Sequence, residues 1–166
     1  MDLNREPGRA EAKAYRLLAR RAHSEKELRE KLRAGGFSAT VVGEVVRRCR
    51  ELGYLNDEAF AIQRARLLAA SRLEGNRRIA LDLRERGIGE ELCRRVIAEV
   101  RGDLGEEEAA KRLLRKKTRG RPPAALDERE KARLARGLMG KGFPASLILK
   151  TLKKMEEEGF HDDDGE

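Results

Sequence analysis

Tryptophan is absent from this chain, aromatic residues make up only 4% of it, and no apolar run is long enough to cross a bilayer as a helix. With so few large side chains, 166 residues can bury only a thin core, which argues against a sheet sandwich or a broad α/β layer. The opening residues, MDLNREPGR, lack the apolar stretch of a secretory signal, so a cytoplasmic protein with no membrane association is expected. Cysteine is scarce as well. Cys49 and Cys93 stand far apart, each inside an apolar helical pattern, and neither has a Cys or His at metal-ligand spacing. Both read as small buried hydrophobes, and neither a metal nor another cofactor is expected. There is no phosphate loop ending in Gly-Lys-Ser or Gly-Lys-Thr, no Gly-x-Ser-x-Gly elbow, and no Cys–His pair placed as a nucleophile and its base. His23 and His161 suggest no chemistry, the latter lying among Asp162, Asp163 and Asp164. No catalytic residue is nominated, and the chain is read as a non-enzyme.

What is abundant is charge. Charged residues make up 41% of the sequence, with 38 Lys and Arg against 30 Asp and Glu, a net +8. Residues 156–166, EEEGFHDDDGE, hold seven acids and no Lys or Arg, which leaves +15 on the rest. A body this basic attracts a polyanion: nucleic acid, an acidic protein face or anionic lipid. The acidic segment is expected either to fold back over that body or to act as a solvated, solubilising tail.

The arrangement of apolar residues is repetitive. Three Gly-hydrophobic turns align as Leu28, Leu32, Phe37; Ile79, Leu83, Ile88; and Leu134, Leu138, Phe143, with spacings of four and five residues each time. Positions +4, +9 and +12 from each turn are also apolar: Val41, Val46 and Cys49; Leu92, Ile97 and Val100; Leu147, Leu152 and Met155. Gly36, Gly87 and Gly142 sit where a helix ends in a left-handed residue. Periods of 51 and 55 residues fall in the range of helical repeat arrays.

An amphipathic stretch precedes each turn, so every unit reads as three helices. The expected fold is all-α: three tandem three-helix repeats in an elongated array, straight or curved. The expected division is a flexible N-terminus over 1–9, repeats over 10–52, 53–102 and 103–155, and an acidic tail over 156–166. In the first repeat the helices are expected near 10–21, 24–35 and 38–52. Ser24 and Glu27 spell a capping box, Ser38 caps the third helix, and Asn56 caps the first helix of the next repeat. Gly75 with Asn76 starts another helix, and Gly89 with Glu90 and Glu91 the one after. Tyr54 and Leu55 are expected to staple the helix that begins with Asp57 to the core, while Arg64 falls between Phe60 and Leu68 with its head reaching toward an acid such as Asp57. The sequence KKTRGRPPAAL reads as a basic Pro/Gly loop and hinge near 117–126, after which Asp127 and Glu130 restart the helix and Pro144 takes a first-turn position.

The run GYLNDEAFA at 53–61, then GNRRI at 75–79 and LRERGI at 83–88, resembles the signature region of the RecX regulatory family. SEKELREKL at 24–32 and GGF at 35–37 resemble that family's first unit, and LMGKGFPASLILKTL resembles the third more loosely. The resemblance implies three tandem three-helix repeats and a regulator of the RecA recombinase, one that binds the RecA–DNA filament, commonly in its groove, and inhibits its ATPase, strand-exchange and coprotease activities. It implies no catalytic residue. Partners implied are the RecA filament and single- or double-stranded DNA, directly or within the filament; the chain itself is expected to be a monomer. The rival reading is a free-standing DNA-binding protein built of helix-turn-helix-like units.

Candidate contacts for the partner or DNA are Arg77, Arg78, Arg84, Arg86, Arg94 and Arg95 on helices, and Lys116, Lys117, Arg119 and Arg121 in the basic loop. Arginine's planar fork suits carboxylates and phosphates. The positions read as structural are Ser24, Glu27, Gly36, Tyr54, Asp57, Phe60, Gly75, Ile79, Leu83, Gly87, Ile88, Gly142 and Phe143.

Overall fold

A computed structural model describes residues 5–158, and among them the chain forms nine α-helices and no strand. They are α1 (Glu6–Arg20), α2 (Glu25–Ala34), α3 (Ala39–Glu51), α4 (Asp57–Arg66), α5 (Asn76–Glu85), α6 (Glu90–Asp103), α7 (Glu106–Thr118), α8 (Glu128–Gly140) and α9 (Ala145–Glu157). A π-turn over Leu67–Ser71 extends α4, and a 3-10 turn over Pro123–Ala125 lies between α7 and α8. The first helix begins at Glu6, four residues ahead of its expected start, and residues 159–166 of the acidic tail lie outside the described residues.

Helix starts follow local chemistry. Ser24 accepts from Glu27 N at 3.2 Å while the Glu27 carboxylate accepts from Ser24 N at 3.3 Å, closing the expected capping box. Asp127 and Glu130 close a second one. Asn56 Oδ1 accepts from Ala59 N at 3.0 Å, and Ser38 caps α3 through Val41 N. Pro144 is the N-cap of α9, one position ahead of the expected first turn, where its fixed φ suits an extended residue. The second helices of the repeats end alike. Phe37, Ile88 and Phe143 donate to the carbonyls of Leu32, Leu83 and Leu138 across glycines at φ +85, +82 and +91, the closure that carries an apolar residue back onto its own helix.

The buried stripe on the third helix of each repeat runs at +5, +8 and +12 from the turn. It comprises Val42, Val45 and Cys49; Cys93, Val96 and Val100; and Ile148, Thr151 and Met155, all buried. Of the expected +4, +9, +12 stripe, Val41, Val46, Cys49, Val100, Leu152 and Met155 are buried, and Leu92, Ile97 and Leu147 are half-buried. Steps of three and four residues track the 3.6-residue period more closely than a step of five. Thr151 is accommodated in the core because its hydroxyl donates to Leu147 O at 2.7 Å.

The described residues group into two compact units, 5–64 with Leu83–Val96, and Ala65–Asp82 with 97–158, so the helices of the second repeat are divided between them. In the first unit, Ala10 and Ala14 of α1, Leu28 and Leu32 of α2 and five residues of α3 enclose a core completed by Leu55. Small residues on α1 let the three helices approach closely, consistent with a chain poor in aromatics. In the second unit, Ala109, Ala110, Leu113 and Leu114 of α7 meet Leu138, Phe143, Ile148, Leu152 and Met155. Both cysteines are free and buried.

Candidate partner and polyanion interface

Two junctions join consecutive repeats by one rule. Asp57, the first residue of α4, accepts a hydrogen bond from the N–H of Glu25, the first residue of α2, at 2.8 Å. Glu106, the first residue of α7, accepts one from the N–H of Asn76, the first residue of α5, also at 2.8 Å. Each acid satisfies a donor that a helix start leaves without an intrahelical partner. Burial pushes the Asp57 carboxyl above its ordinary value, although the hydrogen bond from Glu25 works against the rise.

The same helix starts receive the Gly turn of the next repeat. In the first unit, Lys26 lies so close to Gly87 that a Cβ there would stand 2.7 Å from the Lys26 Cβ, and Lys26 Nζ donates to Glu85 O at 2.9 Å. Arg86 pairs with Glu27, which Arg21 also holds at 3.1 Å. Burial disfavours the Glu27 charge, but the bonds from Arg21 and Ser24 and the charge of Arg86 outweigh it and hold the carboxyl below its ordinary value. In the second unit, Gly75 N donates to Lys141 O at 2.8 Å, and a Cβ on Gly142 would stand 2.4 Å from Arg78 N. Arg101 fastens this second junction: it donates to Asn76 Oδ1 at 2.7 Å, Glu74 O at 2.6 Å and Leu104 O at 3.3 Å. Burial lowers its pKa.

The candidate cations therefore divide. Arg86 is a junction residue, and Arg78 sits 3.9 Å from the buried Glu74. Arg94 pairs with Glu91 on its own helix, and Arg95 reaches Glu58 at 3.1 Å. Arg121 forks onto Glu130 at 2.9 and 3.2 Å. Arg77, Arg84, Lys116, Lys117 and Arg119 are exposed and make no side-chain hydrogen bond or ion pair among the described residues. Lys116 and Lys117 belong to the last turn of α7, not to the loop where they were expected, because the helix continues to a left-handed end at Arg119, φ +54. The loop that follows is anchored at the segment expected to hinge: Pro123 and Leu126 are buried, and Arg121 also donates to Ala125 O at 3.1 Å.

Around that loop the second unit forms a recess of about 410 Å³ between the end of α7 and the start of α8. Lys117, Arg119, Arg121 and Arg133 line it, and its one acid, Glu130, is already held by Arg121. Arg133 was missed in the sequence because nothing marks it apart from the other arginines of α8; only the fold turns it toward Lys117. A second recess, in the first unit, is apolar, about 460 Å³, and brings together the chain's two tyrosines with Leu18, Ala19 and Leu52. Tyr15 and Tyr54 meet edge to face, 5.7 Å between centroids. Tyr54 is thus 58% exposed and does not staple α4; Leu55, 4% exposed, does.

Phe60, Ile79, Leu83 and Ile88 are buried as expected. Arg64 is half-buried on α4. His23, which suggests no chemistry from the sequence, is buried, its Nδ1 2.9 Å from Arg21 O, and burial lowers its pKa. Among the described residues no cluster of His, Cys, Asp and Glu is arranged to hold a metal, and no helix is long and apolar enough to cross a membrane.

Models of the three RecX domains match in order: the first three-helix domain at residues 10–49, the second at 56–97 and the third at 105–152. Regulatory protein RecX of Syntrophotalea carbinolica is 33% identical over 137 residues, covering 82% of this chain and 90% of that protein. Its counterpart in Thermus thermophilus is 36% identical over 152 residues, covering 90% and 96%. The crystal structure of RecX from Lactobacillus salivarius shares the fold, with a TM-score of 0.78 at 19% identity, covering 93% of this chain and 99% of that one.

Proposed function

The chain belongs to the RecX family of RecA modulators, and from that premise we propose that it binds the RecA–DNA filament and inhibits its ATPase, strand-exchange and coprotease activities. It acts by binding, as a non-enzymatic regulator. The observation that carries the reading is the ordered match of all three domains, joined to an excess of cations left unpaired within the fold.

Arg77 and Arg84 lie seven residues apart on α5, on one face of the helix, and Lys116, Lys117 and Arg119 crowd the end of α7. Filament protein offers carboxylates and its DNA offers phosphates, and a guanidinium can bond two oxygens of either. Contacts that are weak one by one add when several sit on one chain, because the second engagement is intramolecular. A monomer suffices for this. The rival reading, free-standing DNA binding, draws on the same cations and on the three-helix units.

Titration into RecA-catalysed, single-strand-dependent ATP hydrolysis tests the proposal. Inhibition that persists when DNA is added in excess supports filament regulation. Inhibition that DNA relieves in proportion to its concentration indicates sequestration and favours the rival.

A further inference from the structure

The first unit gathers both tyrosines of the chain into one apolar recess of about 460 Å³, within the range of about 300–1,000 Å³ of ordinary ligand sites. Tyr54 is left out of the core, which Leu55 completes. It keeps 58% of its surface exposed, and Leu52, which lines the same recess, keeps 49%. The two tyrosine rings stand at 81° to one another, so a flat group laid on one ring meets the edge of the other, as aromatic groups prefer. In a chain this poor in aromatics, an open corner of two rings marks an interaction site.

Charge fixes the chemistry of the occupant. The recess lies at the C-terminal ends of α1 and α3, which carry partial negative charge, and Glu51, exposed at the end of α3, adds to it. Glu11, four residues before Tyr15, is already held by Arg48 at 3.4 Å. An anion is therefore disfavoured inside the recess, and a neutral flat ring is not. Beside it the sign reverses. Arg9, Arg16 and Arg20 are spaced seven and four residues apart, which lines them along α1 about 100° round from Tyr15 and Ala19. All three are exposed and none pairs with an acid among the described residues; Arg16 donates to Ala12 O of its own helix at 3.3 Å. Arg16 and Arg20, with Lys13, line a second recess of about 190 Å³. A neutral ring in the apolar recess and anions along the adjoining arginines are the two halves of a nucleotide.

We propose that this face of the first repeat holds a single-stranded nucleic acid, one unpaired base stacking against Tyr54 and Tyr15 while neighbouring phosphates lie on Arg9, Arg16 and Arg20. Stacking accepts any base because every base has a π-face, whereas a duplex, whose bases are already paired and stacked, offers none. The proposal deepens the filament reading, on which it rests for DNA as a partner, by assigning an unpaired strand to α1 and the turn after α3.

Because the chain has no tryptophan and its two tyrosines share the recess, tyrosine emission reports this site alone. The full chain at low salt is titrated with an oligothymidylate and with an abasic strand of equal length, binding being followed by the anisotropy of the labelled strand. Oligothymidylate is expected to quench tyrosine emission, after correction for the light it absorbs, and the abasic strand to bind more weakly and without quenching. Tyr54→Leu keeps the apolar surface and should weaken oligothymidylate binding at least about fivefold while leaving the abasic strand unchanged, and Tyr54→Phe should restore it. R9Q/R16Q/R20Q should weaken both strands. All four side chains are exposed, so each variant should keep its helical circular dichroism. Binding of neither strand, equal quenching by both, no quenching at saturation, or undiminished affinity of a folded Tyr54→Leu chain overturns the proposal, the last three leaving the recess to an apolar protein surface. RecA is absent from the assay, so failure here is distinct from failure to inhibit the filament's ATPase.

Discussion

Gly142→Ala separates two costs that a glycine turn can carry. At φ +91 the new side chain takes a left-handed conformation, which costs about 1–2 kcal/mol. Its Cβ would also stand 2.4 Å from Arg78 N and 2.6 Å from Arg78 Cβ, and since part of that neighbour is backbone it cannot swing aside. Forcing an added methyl into packed surroundings costs about 1–3 kcal/mol more. Gly120, in the same compact unit, supplies the control: its φ is +79, but a Cβ there meets nothing within 4 Å. Gly120→Ala should therefore cost about 1–2 kcal/mol and Gly142→Ala about 2–5 kcal/mol. Urea unfolding followed by helical circular dichroism measures both. The reasoning fails if the two substitutions cost the same, because the turn of the third repeat would then not be pressed against the start of α5.

Arg101→Ala leaves Asn76 Oδ1 and Glu74 O without their donor and should cost about 2–4 kcal/mol, read from the same urea curves. Glu27→Gln removes the charge that Arg21 and Arg86 share and should cost about 1–3 kcal/mol. Because the folded-state value of Glu27 lies below its ordinary 4.5, its contribution is complete above that pH and is lost as pH falls through the folded value. The variant's stability should accordingly vary less across the acid limb. For His23 the folded value lies below the ordinary 6.5 because burial disfavours the cation, so stability is complete above that pH and declines as pH falls beneath it. Substitution by Asn should flatten thermal midpoints across that window, and an unaltered slope would show that His23 is not buried as neutral imidazole.

The repeats were legible because their signals are local. A Gly at a helix end, an Asn or Ser before a first turn and a Glu three residues on each act within a few residues, so spacing alone locates them. The junctions were not. Asp57 reads as an ordinary first-turn acid, and its bond to Glu25, 32 residues away, depends on how two repeats meet. The same holds for Arg86, which sequence places with the exposed cations and the fold places on Glu27. Positions +5 and +8 were not singled out because Leu147 and Ile148 are neighbours of similar hydrophobicity and only packing buries the second in preference, whereas Val41 and Val42 are both buried. Lys116 and Lys117 were assigned to a loop because Gly120 and the prolines signal its end more clearly than its beginning. The recess needed Arg133 and Lys117 brought together from α8 and α7, which no spacing rule joins.

Filament binding by a charge-reversed chain tests the central claim most directly. Arg77→Glu with Arg84→Glu, and Lys117→Glu with Arg119→Glu, alter exposed residues that make no side-chain hydrogen bond or ion pair among the described residues, so the helical circular dichroism should be kept, with stability lowered only by the about 0.3–1 kcal/mol that each acid costs at the C-terminal end of α7. Co-sedimentation with RecA assembled on single-stranded DNA should then fall at least about tenfold in affinity when the four reversals are combined, the equivalent of about 1.4 kcal/mol. Undiminished co-sedimentation by a folded quadruple variant would contradict the account.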